Sequence, residues 1–420
     1  MEARYRSTLW ACCFANFFQA VGSCFAILYV PLRGLYGLSF TDFGILVSLN
    51  FITQVASDVL FSKPVEKYGF RPFAVAAPLV SAAGLGLFAA APLLFPRRPF
   101  AGFCAGMFLF AAAGGLQELL LSPILDALPI PEERKARSMS MLHSFFAWGQ
   151  IFVVLATTGL LAVWGAARWQ WIVLLWAAPP VAGAVLFCRV PLARKNGGAP
   201  PLPLRALARK GVFYALLAAI VLGGAAEVTM AQWASAFLEK GLRLPKLAGD
   251  VWGVCFFSLM LALGRSGDAA LGARVPLHRL LIGGSGAAAV LYVVCALAQS
   301  PLLGVLACGL TGLCVSLLWP GAIILASRRI PSAGAAMFAL LSAGGDVGAS
   351  LGAFCVGRAA DWAQASGTVF AGAAGESGAL RAGLLLAAVF PLLCCGVHTA
   401  LHCTEARGGL PAGSERRHRQ

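Results

Sequence analysis

The sequence predicts an all-α membrane protein of twelve transmembrane helices in two pseudo-symmetric six-helix bundles. Composition is the first ground: of 420 residues, 59% are hydrophobic and 12% charged, against roughly 25% charged in a soluble domain. Mean hydropathy is +0.81. The second ground is a series of twelve long apolar runs. The third is their grouping, six before and six after one polar, proline-rich stretch.

The runs lie at residues 8–30, 41–62, 72–95, 100–122, 139–163, 169–190, 211–238, 250–271, 277–298, 302–326, 333–357 and 381–403. At ~1.5 Å per residue, ~20 residues cross a ~30 Å hydrocarbon core. Backbone groups in lipid must bond internally, so runs of this length are helices; the short alternating segments of a β-barrel are absent. The first run follows Arg4 and Arg6 as a signal peptide would. It is too long for a signal core and carries Asn16 and Gln19, so it is expected to be a retained helix.

Polar residues fall on these runs in stripes. The first run has Asn16, Gln19 and Ser23 at helical spacing. The second has Asn50, Gln54, Ser57 and Asp58. The fourth carries Gln117, Glu118 and Ser122; the fifth carries His143 and Gln150 on one face, with Trp148 beside them. Between Arg189 and Lys210 come Pro191, Gly197, Gly198, Pro200, Pro201 and Pro203, a linker composition. The seventh run has Gly223 and Gly224, then Glu227, then Gln232 and Trp233. Trp319 lies in the tenth, and the eleventh holds Ser342, Asp346 and Ser350 on one face, with Gly344, Gly345 and Gly348 among them. The expected units are a first bundle at 1–190, a linker at 191–210, a second bundle at 211–404 and a basic tail at 405–420.

The halves repeat one another. At a nearly constant offset, Met141, Ala147, Gly149 and Gln150 fall on Met337, Ala343, Gly345 and Asp346. Gly115, Leu116 and Pro123 likewise fall on Gly312, Leu313 and Pro320. Parallel six-helix repeats of this kind place a substrate site near the midplane between the halves.

Net charge is +15, and topology explains it without nucleic acid. With both termini in the cytoplasm, the segments on that side carry all but nine of the 32 Lys and Arg residues, which orients the chain in a cell inner (plasma) membrane. Arg97 and Arg98 dissent. Arg416, Arg417 and Arg419 give the tail its charge. Most of the 13 cysteines, including Cys104, Cys255, Cys308 and Cys314, sit inside apolar runs and read as small hydrophobes. No metal-type Cys/His spacing appears, and neither a metal nor a cofactor is expected.

Four acids lie well inside runs: Asp58, Glu118, Glu227 and Asp346. Charge is costly there, ~2.5–3.5 kcal/mol on insertion scales, so such residues usually mark function. No Lys or Arg falls in the middle third of a run, so these acids are expected to lack cationic partners. Glu118, Glu227 and Asp346 are the candidates for proton coupling. The amide stripes suit a neutral, hydroxylated solute that needs many donors and acceptors and little net charge. The candidate substrate residues are Asn16, Gln19, Asn50, Gln54, Gln117, His143, Gln150, Gln232, Trp233 and Trp319, with the indoles available to stack on a sugar ring.

After the second run, Ser62-Lys63-Pro64-Val65-Glu66-Lys67-Tyr68-Gly69-Phe70-Arg71 resembles the major facilitator loop motif G-x-L-[AS]-D-R-x-G-R-[RK]. Ser62 departs from the leading glycine. The resemblance implies a conformational gate, a charge clasp formed by Glu66, Lys67, Gly69 and Arg71, which Asp58 is placed to join. Three passages resemble the fucose permease branch of that superfamily: Gln117-Glu118 with Ser122-Pro123, His143-Ser144-Phe145-Phe146, and Glu227 with Gln232-Trp233. That resemblance implies a monomeric, proton-coupled sugar or polyol carrier working by alternating access, with Glu118 as proton carrier. Two rival readings remain. One is a proton-coupled exporter of drugs or metabolites, although the exporters' Gly-Pro pair is missing from residues 139–163. The other is an intramembrane enzyme, from the G-x-S-G at Gly283-Gly284-Ser285-Gly286.

Overall fold

The computed structural model describes residues 3–128, 132–192, 207, 209–271, 275–330 and 334–407. Most of the expected linker and nearly all of the tail lie outside them. Twelve helices have the length and apolarity to cross a membrane: α1 Tyr5–Tyr36, α2 Phe40–Val65, α3 Phe70–Leu94, α4 Pro99–Leu125, α5 Phe145–Trp164, α6 Ala166–Arg189, α7 Gly211–Gly241, α8 Lys246–Gly267, α9 Leu277–Leu297, α10 Pro301–Ala326, α11 Leu340–Ala365 and α12 Gly375–Thr404. Among the described residues the strand content is one bridge, Phe370 to Ala373.

The even number of spans puts both chain ends on one face, here the terminal face; the opposite one is the far face. Several helices outrun their apolar runs. At the start of α2, Ser39 Oγ accepts the Asp42 N–H at 3.0 Å while the Ser39 N–H donates to Asp42 Oδ2 at 2.8 Å, a reciprocal cap that fixes the helix start at the edge of the apolar run. After α2, Gly69 has φ of 82°, which a residue with a Cβ adopts only under strain. α12 starts at Gly375 instead of 381, and the helix ending in α11 runs to Ala365 instead of 357.

Several spans are interrupted along their length; α6 breaks at Ala177, ahead of Pro179, and α12 at Ala388, ahead of Pro391. α1 tightens to a 3₁₀ turn at Ala20–Ser23. α10 is broken between Val315 and Leu318, just ahead of Pro320, whose ring cannot continue a hydrogen-bonded helix.

The buried core shows how the halves meet. The second half's core takes in Ala26, Tyr29, Val30, Phe40, Phe43 and Val47 of the first half, all toward the far face. The first half's core near the terminal face, from Leu9 to Val190, contains first-half residues alone. The halves therefore share one core at the far face and separate toward the terminal face.

Candidate functional site

Asp58, Glu118 and Asp346 are brought together from three helices and both halves. Within the first half, glycine sets the spacing: a Cβ on Gly115 would overlap the Gln54 backbone, so α4 lies directly against α2 there. One helical turn onward on each helix stand Glu118 and Asp58. From the second half, Ser350 meets α2 through Ser48, whose hydroxyl donates to the Ser350 carbonyl at 2.9 Å. Asp346 lies one turn from Ser350 on the same face. The charge of Glu118 reaches both Asp58 and Asp346, and that of Asp58 reaches Asp346. Asp58 and Glu118 each lie seven residues from the terminal end of their spans, roughly 10 Å in. Glu118 is exposed, Asp346 is buried, and Asp58 Oδ1 is buried without a hydrogen bond among the described residues.

Glu227 departs from expectation, because it has a cationic partner. Arg265 of α8 reaches it, Nη2 to Oε1 at 2.8 Å. The sequence places Arg265 near the end of an apolar run, where it reads as a loop charge. Its long side chain instead turns inward and also donates from Nε to the Ser316 carbonyl at 3.1 Å, at the break in α10. The second carboxylate oxygen of Glu227 is buried with no hydrogen-bond partner among the described residues. Trp319 overlies Gly224 and Gly345, where a Cβ would strike its ring.

The amide stripes largely bond among themselves and to the first half's backbone. Asn16 is buried, donating to the Leu142 carbonyl at 2.8 Å. Gln117 donates to the Ala15 carbonyl at 2.9 Å and to Gln19 at 3.3 Å; Gln54 donates to Asn50 at 3.4 Å. Gln19, Gln54 and Gln117 line a small cavity of about 30 Å³ inside the first half, closed by Phe14, Pro78 and Pro179. That holds a water or two, not a sugar. Gln150, Gln232 and Trp319 are partly buried. Trp233, expected to stack on substrate, is fully buried: its indole donates to the Ala353 carbonyl at 3.3 Å and it packs on Tyr29, Phe40 and Phe43. The side chains of His143 and Glu66 lie outside the described residues.

Among the described residues Asp58 makes no contact with Arg71 of the loop after α2. Arg71 donates to the carbonyls of Phe187, Cys188 and Val190 at 3.1, 2.7 and 2.9 Å, which caps the end of α6. Lys67 is exposed over the Tyr68 ring. Ser285, nucleophile of the enzyme reading, is fully buried and donates to the Leu281 carbonyl of its own helix at 2.6 Å.

Polar ties at the far face hold the halves together. The Asp361 carboxylate of α11 accepts the N–H groups of Phe40 and Thr41, at 3.0 and 2.6 Å, capping α2 from the other half. Arg33 pairs with Glu376 at 3.0 Å. Buried Asp250 accepts from Thr158 of α5 at 2.8 Å, while Ser235 and Lys246 occupy its other oxygen. α7 ends, and α8 begins, in π-helical turns around this acid.

The sequence profile of the Major Facilitator Superfamily matches residues 9–353. The chain belongs to the Major Facilitator Superfamily. No curated protein matches it in sequence. In structure, this facilitator is similar to a bacterial homologue of the human lysosomal transporter Spinster in an inward-facing, occupied conformation, at TM-score 0.78 and 12% identity over 96% of this chain and 98% of that one. It is similar to a D-xylose-proton symporter at 0.72 and 16%, over 93% and 97%. It is also similar to the E. coli fucose:proton symporter at 0.62 and 15%, over 94% and 99%. At these identities the likeness is one of fold.

Sequence reasoning about this facilitator found the acids but missed Arg265, Asp250 and Asp361. Asp361 lies just beyond the eleventh apolar run and Asp250 at the edge of the eighth, so both read as loop charges. Lys246 and Ser235 are near Asp250 in sequence, but the partners that join the halves, Thr158 for Asp250 and the α2 N-terminus for Asp361, are distant, and no local pattern announces them.

Proposed function

We propose that this transporter is a proton-coupled importer of a small hydroxylated solute of the sugar or polyol class, working by alternating access. The observation that carries the reading is the convergence of Asp58, Glu118 and Asp346 from both halves, without Lys or Arg among the charges that reach them. Like charges repel strongly away from water, so a proton held among the three relieves the repulsion, and its arrival or loss changes how the halves attract one another. Glu118, the exposed member, is the proton carrier.

Lys and Arg crowd the terminal face, so the positive-inside rule makes it cytoplasmic. The closed far face is then extracytoplasmic, and the conformation is inward-open in a cell membrane. Likeness to an inward-facing relative supports that assignment. The partly exposed amides Asn50, Gln54, Gln117 and Gln150 offer donors and acceptors to hydroxyl groups.

The test is transport in proteoliposomes. Glu118→Gln should abolish proton-driven accumulation yet leave solute counterflow within about threefold of wild type, since the rocking motion survives when the acid is fixed neutral. Accumulation by the variant at the wild-type level would remove Glu118 as carrier.

A further inference from the structure

We propose that Arg265 receives a carboxylate on the solute, so that the cargo is a hydroxylated acid such as a sugar acid, and that Glu227 is the group the solute displaces. The inference rests on the carrier reading above and narrows its substrate class.

The geometry is that of a half-occupied anion site. Of the guanidinium nitrogens, Nη2 binds Glu227 and Nε binds the Ser316 carbonyl. Nη1 makes no hydrogen bond to a described residue, and the side chain is 40% exposed. A planar guanidinium with one open edge matches a carboxylate. The location is also that of a ligand site. Ser316 sits at the mid-span break of α10, and interrupted backbone at membrane depth is tolerated where it lines a cavity. Trp319 flanks the same break, with a ring face for the solute's C–H groups.

Charge accounting fixes the stoichiometry. In the empty site, the Glu227 carboxylate and the Arg265 guanidinium sum to zero. When a solute carboxylate takes the guanidinium, Glu227 must accept one proton or remain a second negative charge beside it. With that proton on Glu227 the site is again neutral. This site therefore takes up one proton with each carboxylate, in addition to the proton carried at Glu118. A phosphate monoester carries about 1.5–2 negative charges at neutral pH and would leave the site negative, so a carboxylate is the better match.

Other charged groups on the helices around Glu227 are few. α10 carries none within its span. α11 brings Asp346, whose charge neighbours are Glu118 and Asp58, and toward the far face Arg358 and Asp361, and Arg381 of α12 is engaged with the Ala296 and Ala298 carbonyls there. α12 brings buried His398, α8 adds Asp250 and Lys246 at the far face, and α1 adds Arg33, engaged with Glu376. None supplies a second cation to Glu227.

The experiment is ligand-dependent thermal stabilisation and calorimetry on the full-length purified transporter. The probes are D-glucuronate against D-glucose, D-gluconate against sorbitol, and glucose 6-phosphate. The acids should bind at least tenfold more tightly than their neutral partners. Between pH 8 and 6, acid affinity should rise by up to about tenfold per unit of pH lost, as linkage to one proton requires. Glu227→Gln should bind the acids tightly with that pH slope gone. Arg265→Gln should lose the acid preference, and Arg265→Lys should recover part of it, which separates lost charge from a misfolded site. Acids that bind no better than neutral sugars to wild type, or a preference that survives in Arg265→Gln, would overturn the proposal. So would a pH slope that persists in Glu227→Gln, or tighter binding of glucose 6-phosphate than of glucuronate. Failure of the proton-carrier reading shows elsewhere, as accumulation that survives in Glu118→Gln while acid binding is normal.

Discussion

Trp233 shows how far a residue's role depends on what surrounds it. Its type and mid-membrane position suit sugar stacking, yet it closes the far face by filling the space between Tyr29, Phe40 and Phe43. Truncating a buried Trp costs ~3–5 kcal/mol, and here part of that cost falls on one conformation alone. Trp233→Ala should therefore raise labelling of a cysteine at Val47, buried in the shared core, by an outside, membrane-impermeant reagent at least fivefold. Unchanged labelling would show that the ring is not part of the closure. Gly115 makes the converse point. It carries no chemistry, yet it sets how close Glu118 comes to Asp58. Gly115→Leu should disable proton-driven accumulation as fully as Glu118→Gln, with protein still in the membrane.

Among the helices, α2 and α11 do the most to fix the observed state. Gly44 lies against Phe354, and Gly357 lies against the Phe40 carbonyl. Small residues let backbones touch in this way, and the touching ends are tied by Asp361 to the N-terminus of α2. The N–H groups and the dipole there both favour an acid. Removing a cap costs roughly 0.5–2 kcal/mol. Asp361→Ala should thus move the balance toward the state open at the far face by about twofold to thirtyfold. Spin labels at exposed Leu35 and Val369 would read it as a longer distance population. A distribution identical to wild type would show that the carboxylate caps α2 without holding the halves. The helices were mostly legible in the sequence because apolar length is a property of a single segment. Their ends were less so: α12 starts at Gly375, ahead of the apolar run at 381, because polar residues outside the hydrocarbon still extend a helix.

At the scale of the whole molecule, the far face is closed by three polar ties, α2 to α11 through Asp361, α5 to α8 through Asp250 and α1 to α12 through Arg33 and Glu376. They share no side chain. Effects of well-separated sites usually add within about 0.5 kcal/mol. Asp361→Ala combined with Thr158→Ala should therefore shift the Leu35–Val369 distance populations by the product of the two single equilibrium changes. A double variant no more open than the stronger single one would mean that the ties act as one unit. The same closure explains why the terminal-face core of the first half stands alone, and why Glu118 is exposed.

The twelve spans, their grouping in two repeated halves and the four intramembrane acids were decided by the amino-acid sequence, because each depends on local apolarity or on the cost of a charge in lipid. The sequence could not decide which acids meet. Asp58, Glu118 and Asp346 converge, whereas Glu227 goes to Arg265, and that division follows from helix crossings at Gly115 and at Ser48–Ser350. Nor could it show that Trp233 and two outlying aspartates close one face while Glu118 looks out of the other. Those facts are relations between segments far apart in the chain, fixed by how close two backbones can approach and by which buried polar groups must find a partner.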